Sequence, residues 1–474
     1  MTAPVPRPLP ALLCFDVEDL ISPESDDAAM WMAQMLTEYG LTGTFMVVGE
    51  KARLWERRGR RDVIEALKRH HLGYHSTWHS VHPTTTEHCL DKDFAQGIEA
   101  IWAWDREGWQ DTERILGRPL LGWARTGASW APSIQGLMGR MGRAYAYSRV
   151  RLPETSVCWY GGCLGFYDDG VGGFDDAFVD DALFSQRLAK AKQGVDERTR
   201  WPRRGAHWTD VFMCHPTRAI HTSFWDGMNF VEGANPPRSQ WKPAVLHPAE
   251  KLPTIQGNFR RLCTWLRDQT ELEIVGWGEL IRRYDGQRPH ATHAELLAAA
   301  RRIVDERRVL FTDHFTAAEL LLMLCKAVGV GVGGQGGPAA TYARPTALGP
   351  LSMPPRSSER TWPAAELRSA AQRVIEDTAR TGYLPASESV GGEAVGIGTV
   401  FVALAQVLLG ADSAGGPSDA FYPAEAEAVA LDAGTDIPKW IIHPKNMDLS
   451  KLLEQTRLQC WTLKPAWTCE DLGI

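Results

Sequence analysis

Two histidines four residues apart, His75 and His79, sit in the stretch from Leu72 to Thr84, LGYHSTWHSVHPT. A short apolar lead-in precedes them. Upstream, the acidic cluster Phe15-Asp16-Val17-Glu18-Asp19 closes another apolar run. Two imidazoles at this spacing grip one divalent metal, and a carboxylate completes the triangle. A further histidine, His215, stands directly after the apolar run 211–214 and before Pro216. Acids and histidines thus recur at the ends of apolar runs, a pattern that capping or solvated turns do not explain. The chain is a candidate metallohydrolase.

Such residues need elements to position them. Residues 11–15 read as a strand, 26–39 as a helix with Ser25 as N-cap and Gly40 at its end, and 43–48 as a second strand. A helix over 60–70 follows, then a third strand over 72–75, and later strands over 211–214 and 272–275. This β-α-β-α-β rhythm argues for parallel strands joined by helical crossovers. Chemistry in such folds gathers at the C-terminal strand ends, where Asp16, His75 and His215 fall. Residues two apart on an extended strand share a face. Asp16 and Glu18 therefore point together if the strand continues. If the chain turns after Asp16, Asp19 is the alternative ligand, so both remain candidates.

Composition bounds the rest. A chain of 474 residues holds two to four domains. The net charge of −7 comes with no basic patch dense enough for nucleic acid. No apolar run approaches the roughly 18 residues that span a bilayer. The N-terminal stretch is short, broken by prolines and unlike a signal peptide. Nine scattered cysteines without a C-x-x-C pair read as reduced thiols, so a cytoplasmic protein is expected. Most of the 19 tryptophans are assigned to the core, a few to a sugar-binding cleft. Near residues 287–293 the composition turns Ala/Leu/Arg-rich. Three regions follow: a catalytic α/β domain over 1–290, an α-helical domain over 291–411, and a C-terminal appendage over 412–474. Helices are expected over 317–327, 364–381 and 398–409, with a Gly/Pro-rich loop over 329–355.

Taken together, Phe15-Asp16-Val17-Glu18-Asp19, Thr44-Phe45-Met46-Val47-Val48-Gly49-Glu50, His75-Ser76-Thr77-Trp78-His79-Ser80 and Met213-Cys214-His215-Pro216 resemble the ordered motifs of the polysaccharide deacetylase superfamily (NodB-homology, carbohydrate esterase family 4). The resemblance implies an α/β fold, a distorted incomplete (β/α) barrel of about seven strands, followed by a smaller α-helical domain. It implies Asp16 as general base, His215 as the acid that protonates the leaving amine, and Arg125 as the arginine that orients the base. Metal, most simply Zn²⁺, would be held by His75 and His79 with Glu18 or Asp19. An oxyanion-binding N–H is implied in the loop 126–129.

Two departures stand out. The stretch Gly122-Trp123-Ala124-Arg125-Thr126-Gly127 lacks the family's proline, and Tyr147-Ser148-Arg149 occupies the place of an aspartate motif. Arg368 to Pro385, ending Gly382-Tyr383-Leu384-Pro385, resembles a pseudomurein-binding-type helical repeat.

The expected function is metal-dependent hydrolysis of non-peptide carbon–nitrogen bonds, most simply deacetylation of an N-acetylated sugar or polysaccharide. The alternatives are an allantoinase-like cyclic amide hydrolase and a non-catalytic glycan-binding protein. Expected partners are a carbohydrate or small amide, with no nucleic acid and no membrane; a homo-oligomer is admitted. Secondary sites are assigned bland roles. Asp175-Asp176 and Asp180-Asp181 form a solvated acidic loop rather than a second cation site with nearby His207. His82 is either a partner of the metal ligands or a turn histidine. Phe224-Trp225-Asp226 with Trp241 is either a cleft wall or core.

Overall fold

The computed structural model describes residues 8–153, 155–167, 173–199, 210–329 and 339–474. His207 lies outside the described residues. Nine strands build the framework of the site: β1 Leu9–Val17, β2 Gly43–Val47, β3 His71–Tyr74, β4 Gly122–Ala124, β5 Ala144–Ser148, β6 Val157–Tyr160, β7 Cys163–Tyr167, β8 Asp210–Cys214 and β9 Leu272–Val275. A tenth strand, Lys464–Pro465, comes from the far end of the chain. The sheet order is 464–465, β6, β7, β5, β4, β3, β2, β1, β8, with β9 also on β1. Parallel pairings link β1 to β2, β8 and β9, and run on from β2 through β3, β4 and β5 to β7.

The barrel is therefore open, as expected, but the sheet is larger than about seven strands. Its excess is a hairpin the sequence reading did not anticipate. β6 runs antiparallel to β7, and 464–465 adds antiparallel to β6. Helices and strands cover one another's apolar surface in the usual way for parallel sheets, and every residue of β1 is buried. Phe15 stacks on Phe45 across the β1–β2 pair at 4.7 Å.

The first helix runs Glu24–Glu38, and Ser25 is not its N-cap. Pro23 holds that position, and the Ser25 hydroxyl donates to Ser22 O at 2.7 Å. The helix read over 60–70 is shorter, Arg61–Leu67. Residues 291–411 carry the helices His293–Glu306, Ala317–Gly329, Ala364–Thr381 and Ile397–Leu408, whose apolar faces share one buried cluster. The expected loop over 329–355 contains a short strand, Thr341–Ala343, paired with His290–Thr292. The Gly382-Tyr383-Leu384-Pro385 turn ends the helix Ala364–Thr381, with Gly382 in the left-handed conformation that favours glycine (φ +81°).

Residues 412–474, read as an appendage, are built into the molecule. Besides the sheet strand at 464–465, Trp461 joins the helical cluster. Tyr160 OH donates to Thr456 O at 2.9 Å, and the Gly161 N–H donates to Thr462 Oγ1 at 2.7 Å. Among the described residues no helix is long and apolar enough to cross a membrane.

Candidate metal centre and active site

The site lies where the C-terminal ends of β1, β2, β3, β4, β5 and β8 converge. Asp16 is the penultimate residue of an entirely buried strand, and Glu18 follows its end. Both lie at the same pocket, the outcome expected from strand alternation. Asp19 does not join them. Its carboxylate accepts the backbone N–H groups of Ile21 (2.7 Å) and Ser22 (3.1 Å) and the Thr217 hydroxyl (3.3 Å). The sequence admitted Asp19 as a ligand because it could not place the turn. In the structure the chain turns after Glu18, and Asp19 is used to hold that turn.

His75 and His79 leave β3 through a loop in an unusual conformation. Ser76 and His79 both have positive φ, 57° and 55°. For residues with side chains this is a strained region that surrounding contacts must hold, and it concentrates at functional sites. Those contacts are present. Asp105, from the helix Phe94–Leu116, accepts the Thr77 N–H (2.6 Å), the Thr77 hydroxyl (2.8 Å) and the Tyr74 hydroxyl (3.1 Å) on one oxygen. The His79 N–H donates to Ser76 Oγ at 2.9 Å. Backbone bonds from Gly49 and Glu50 to the carbonyls of Ser76 and Thr77 complete the clamp.

The result brings Glu18, His75 and His79 together, with one ligand atom from each within 4.8 Å of the others and all three buried. His75 Nδ1 donates to Ala124 O at 3.2 Å, which turns Nε2 toward the centre. His79 Nδ1 meets the Ser80 hydroxyl, which in turn donates to Asp226 at 3.0 Å. The fit to a metal rests on what is left over. His75 Nε2 and Glu18 Oε1 are buried with no hydrogen-bond partner among the described residues. Buried polar atoms rarely remain unpaired without a reason. Burial, together with the neighbouring His79 and His215, holds His75 well below the usual histidine range, so it is a neutral imidazole, the form that ligates. Burial would raise Glu18, but His79 at 2.8 Å outweighs it and keeps the carboxylate ionised.

Asp16 stands beside this triangle. Its Oδ2 lies 3.7 Å from His75 Nε2 and 3.5 Å from His215 Nε2, and its Oδ1 accepts from Tyr147 OH at 3.3 Å. Burial pushes its carboxyl up to about 7, against the pull of His215. Tyr147 is another residue with positive φ (58°). His215 is held from behind by Asp175. One carboxylate oxygen accepts the His215 backbone N–H and the other its Nδ1–H, both at 2.7 Å. Burial alone would depress His215, but Asp175 and the site acids outweigh it and hold the imidazolium up to about 10. Asp175 is thus no solvated loop acid.

Arg125 reaches the pocket wall, but its guanidinium is engaged by Asp436 of the C-terminal segment at 2.6 Å, with Arg149 Nε 3.4 Å from the same oxygen. The groups seen to orient Asp16 are Tyr147 and the histidines. His82 pairs with Glu87 at 2.7 Å and is a turn histidine. Asp226 lines the pocket, while Trp225 and Trp241 pack with Phe230 in a satellite core. Sequence reasoning missed Asp175, Tyr147, Asp436 and Trp440 as site residues. For Tyr147 the only signal was membership of a quoted motif, and for Asp175 its place in the acidic loop; for Asp436 and Trp440 there was none.

The sequence matches no protein-family model and no curated protein. Its fold is similar to solved structures. One, from Mycobacterium smegmatis, is described as a polysaccharide deacetylase (12% identity, TM-score 0.39, 59% of this chain and 91% of that one). A second is the 4-alpha-glucanotransferase of Thermococcus litoralis (11%, 0.38, 58% and 40%). A third is Puue allantoinase (12%, 0.37, 59% and 91%). At these identities no activity transfers from them to this chain.

Proposed function

We propose that this protein is a metal-dependent hydrolase of non-peptide carbon–nitrogen bonds, with Zn²⁺ held by Glu18, His75 and His79. The observation that carries the reading is the buried convergence of those three groups, with unpartnered atoms, beside the adjacent Asp16 and His215. Two imidazoles and a carboxylate suit Zn²⁺. Bound there, the metal would polarise an amide carbonyl and lower the pKa of water.

The chain's own residues supply the rest. Asp16 accepts a proton from water as the water oxygen bonds to the carbonyl carbon. Tyr147 and the flanking histidines hold that carboxylate in place. The protonated His215, steadied by Asp175, donates to the nitrogen as the C–N bond breaks. The products are a carboxylic acid and an amine, or a ring-opened acid if the amide is cyclic. A base and an acid whose environments push them to about 7 and about 10 divide these roles.

The pocket encloses about 440 Å³, with one wall supplied by Trp440 and Ile441. That volume suits a small amide, an N-acetyl sugar or a cyclic amide, better than a bound polymer. The test is hydrolysis of N-acetyl sugars and of allantoin by zinc-loaded protein. Release of amine or ring-opened product that Asp16→Asn abolishes is expected. Binding of these compounds without turnover by the zinc-loaded protein would move the reading to a binding protein.

A further inference from the structure

The lining of this pocket is uneven. Beside its acids and histidines stand five apolar side chains, Met213, Phe224, Met228, Trp440 and Ile441. Building on the hydrolase reading above, we infer that the site takes a small amide bearing an apolar, ring-sized substituent, and that the C-terminal segment sets this preference through Trp440 and Ile441.

Exposure is the first argument. Met228 and Ile441 are 45% and 58% exposed, and both stand at this one pocket. Isolated exposed apolar side chains are ordinary, but a pair of them rimming a concave site marks a surface built to be covered.

Rigidity is the second. The Trp440 ring stands edge-on to His79 at 5.6 Å and to His443 at 5.1 Å. It also packs into the space left by Gly127, where an added Cβ would lie 2.2 Å from the indole. Four residues earlier, Asp436 pins the segment to Arg125 and Arg149 at the ends of β4 and β5. The wall is therefore part of the site rather than a passing loop.

Polarity is the third. A sugar ring brings several hydroxyls, and each one buried without a partner costs binding. Outside the acid–histidine cluster, Ser223 and Tyr147 supply the hydroxyls of the lining, and the Tyr147 proton is directed at Asp16. Arg125, the arginine of the lining, already faces Asp436. Thioethers, rings and an aliphatic chain are left to meet the substituent, and they complement an apolar one.

The experiment uses the full-length, zinc-loaded chain and two matched amides, N-acetylphenethylamine and N-acetylglucosamine. Hydrolysis and calorimetric binding are measured for the wild type and for Ile441→Asp, whose exposed position makes misfolding simple to check by thermal melting. The expected result is a kcat/KM at least about tenfold higher for the aryl amide, the difference lying mainly in KM, and shrinking severalfold in Ile441→Asp. Equal or better use of the sugar amide, or a preference that Ile441→Asp leaves intact, would overturn the inference. Hydrolysis of neither amide, with tighter binding of the aryl amide that weakens in Ile441→Asp, would sink the hydrolase reading and sustain the apolar wall. No difference in binding or hydrolysis would overturn the wall as well.

Discussion

Asp16, the proposed base, has two imidazoles beside one of its oxygens, at 3.7 and 3.5 Å. It is not among the three converging ligands, so its role and theirs are separable. Asp16→Asn is expected to lower kcat by about 10²- to 10⁴-fold while the protein keeps its zinc, measured by turnover beside metal analysis. Ser80 and Asp226 reach the candidate metal site at one remove, through His79. Ser80→Ala is expected to weaken zinc affinity by about 10- to 100-fold in competition with a chelating dye. Much of this scale was legible in the sequence, because it follows from local geometry. Alternation on a strand puts Asp16 and Glu18 on one side, and strand ends collect His75 and His215. The choice between Glu18 and Asp19 was not legible, since it depends on where the turn falls. Asp175 was misread because its partner, His215, is 40 residues away and composition alone makes DD look solvated.

The element that positions His75 and His79 is the loop after β3, and its anchor is Asp105. That carboxyl is fully buried and holds the strained backbone through Thr77. Asp105→Ala leaves a buried N–H and two hydroxyls short of an acceptor, and a loss of about 3 kcal/mol is expected in urea unfolding. Burial pushes the Asp105 carboxyl up from 3.8 to about 6. A folded-state pKa above the unfolded one means that the native protein holds the extra proton between those values. This group's stabilisation is therefore full below pH 4 and lost as pH rises through about 6. The shift corresponds to about 3 kcal/mol as an order of magnitude. Asp105→Asn keeps an oxygen acceptor but cannot ionise. Its stability relative to wild type is expected to rise between pH 4 and pH 7, and a flat difference across that range would show that Asp105 does not titrate there. Strand and helix positions were readable from periodicity, down to the helix Ala364–Thr381 and the strand Leu272–Val275. The β6–β7 hairpin was not, because the short strands carry tight turns and a nearly continuous apolar run.

At the scale of the whole molecule, the last sixty residues close the structure. Lys464, on the tenth strand, is buried and donates to both oxygens of Glu319 (3.1 and 2.8 Å) and to His314 O at 3.1 Å. It thereby ties the sheet to the helix Ala317–Gly329. Lys464→Met strands much of the Glu319 charge in the interior, with Arg344 as its remaining cation at 3.1 Å. A destabilisation of about 3 kcal/mol is expected, and Lys464→Met with Glu319→Leu is expected to recover a substantial part of it, both read from denaturant midpoints. The Gly/Ser/Pro patch after Gly410 looks like a linker, so the sequence suggested an appendage. Antiparallel pairing of 464–465 with β6, about 300 residues upstream, leaves no local trace in composition or period. The same is true of the Asp436–Arg125 pair and of Trp440 at the pocket wall. Glu18, His75 and His79 are proposed to hold one catalytic metal. That proposal is tested most directly by zinc stoichiometry, measured on metal-depleted, zinc-reloaded protein and on the His75→Ala/His79→Ala double variant. One zinc per wild-type chain, lost in a folded double variant, is the expected result. A wild-type chain that binds none, or a double variant that still binds one, would contradict it.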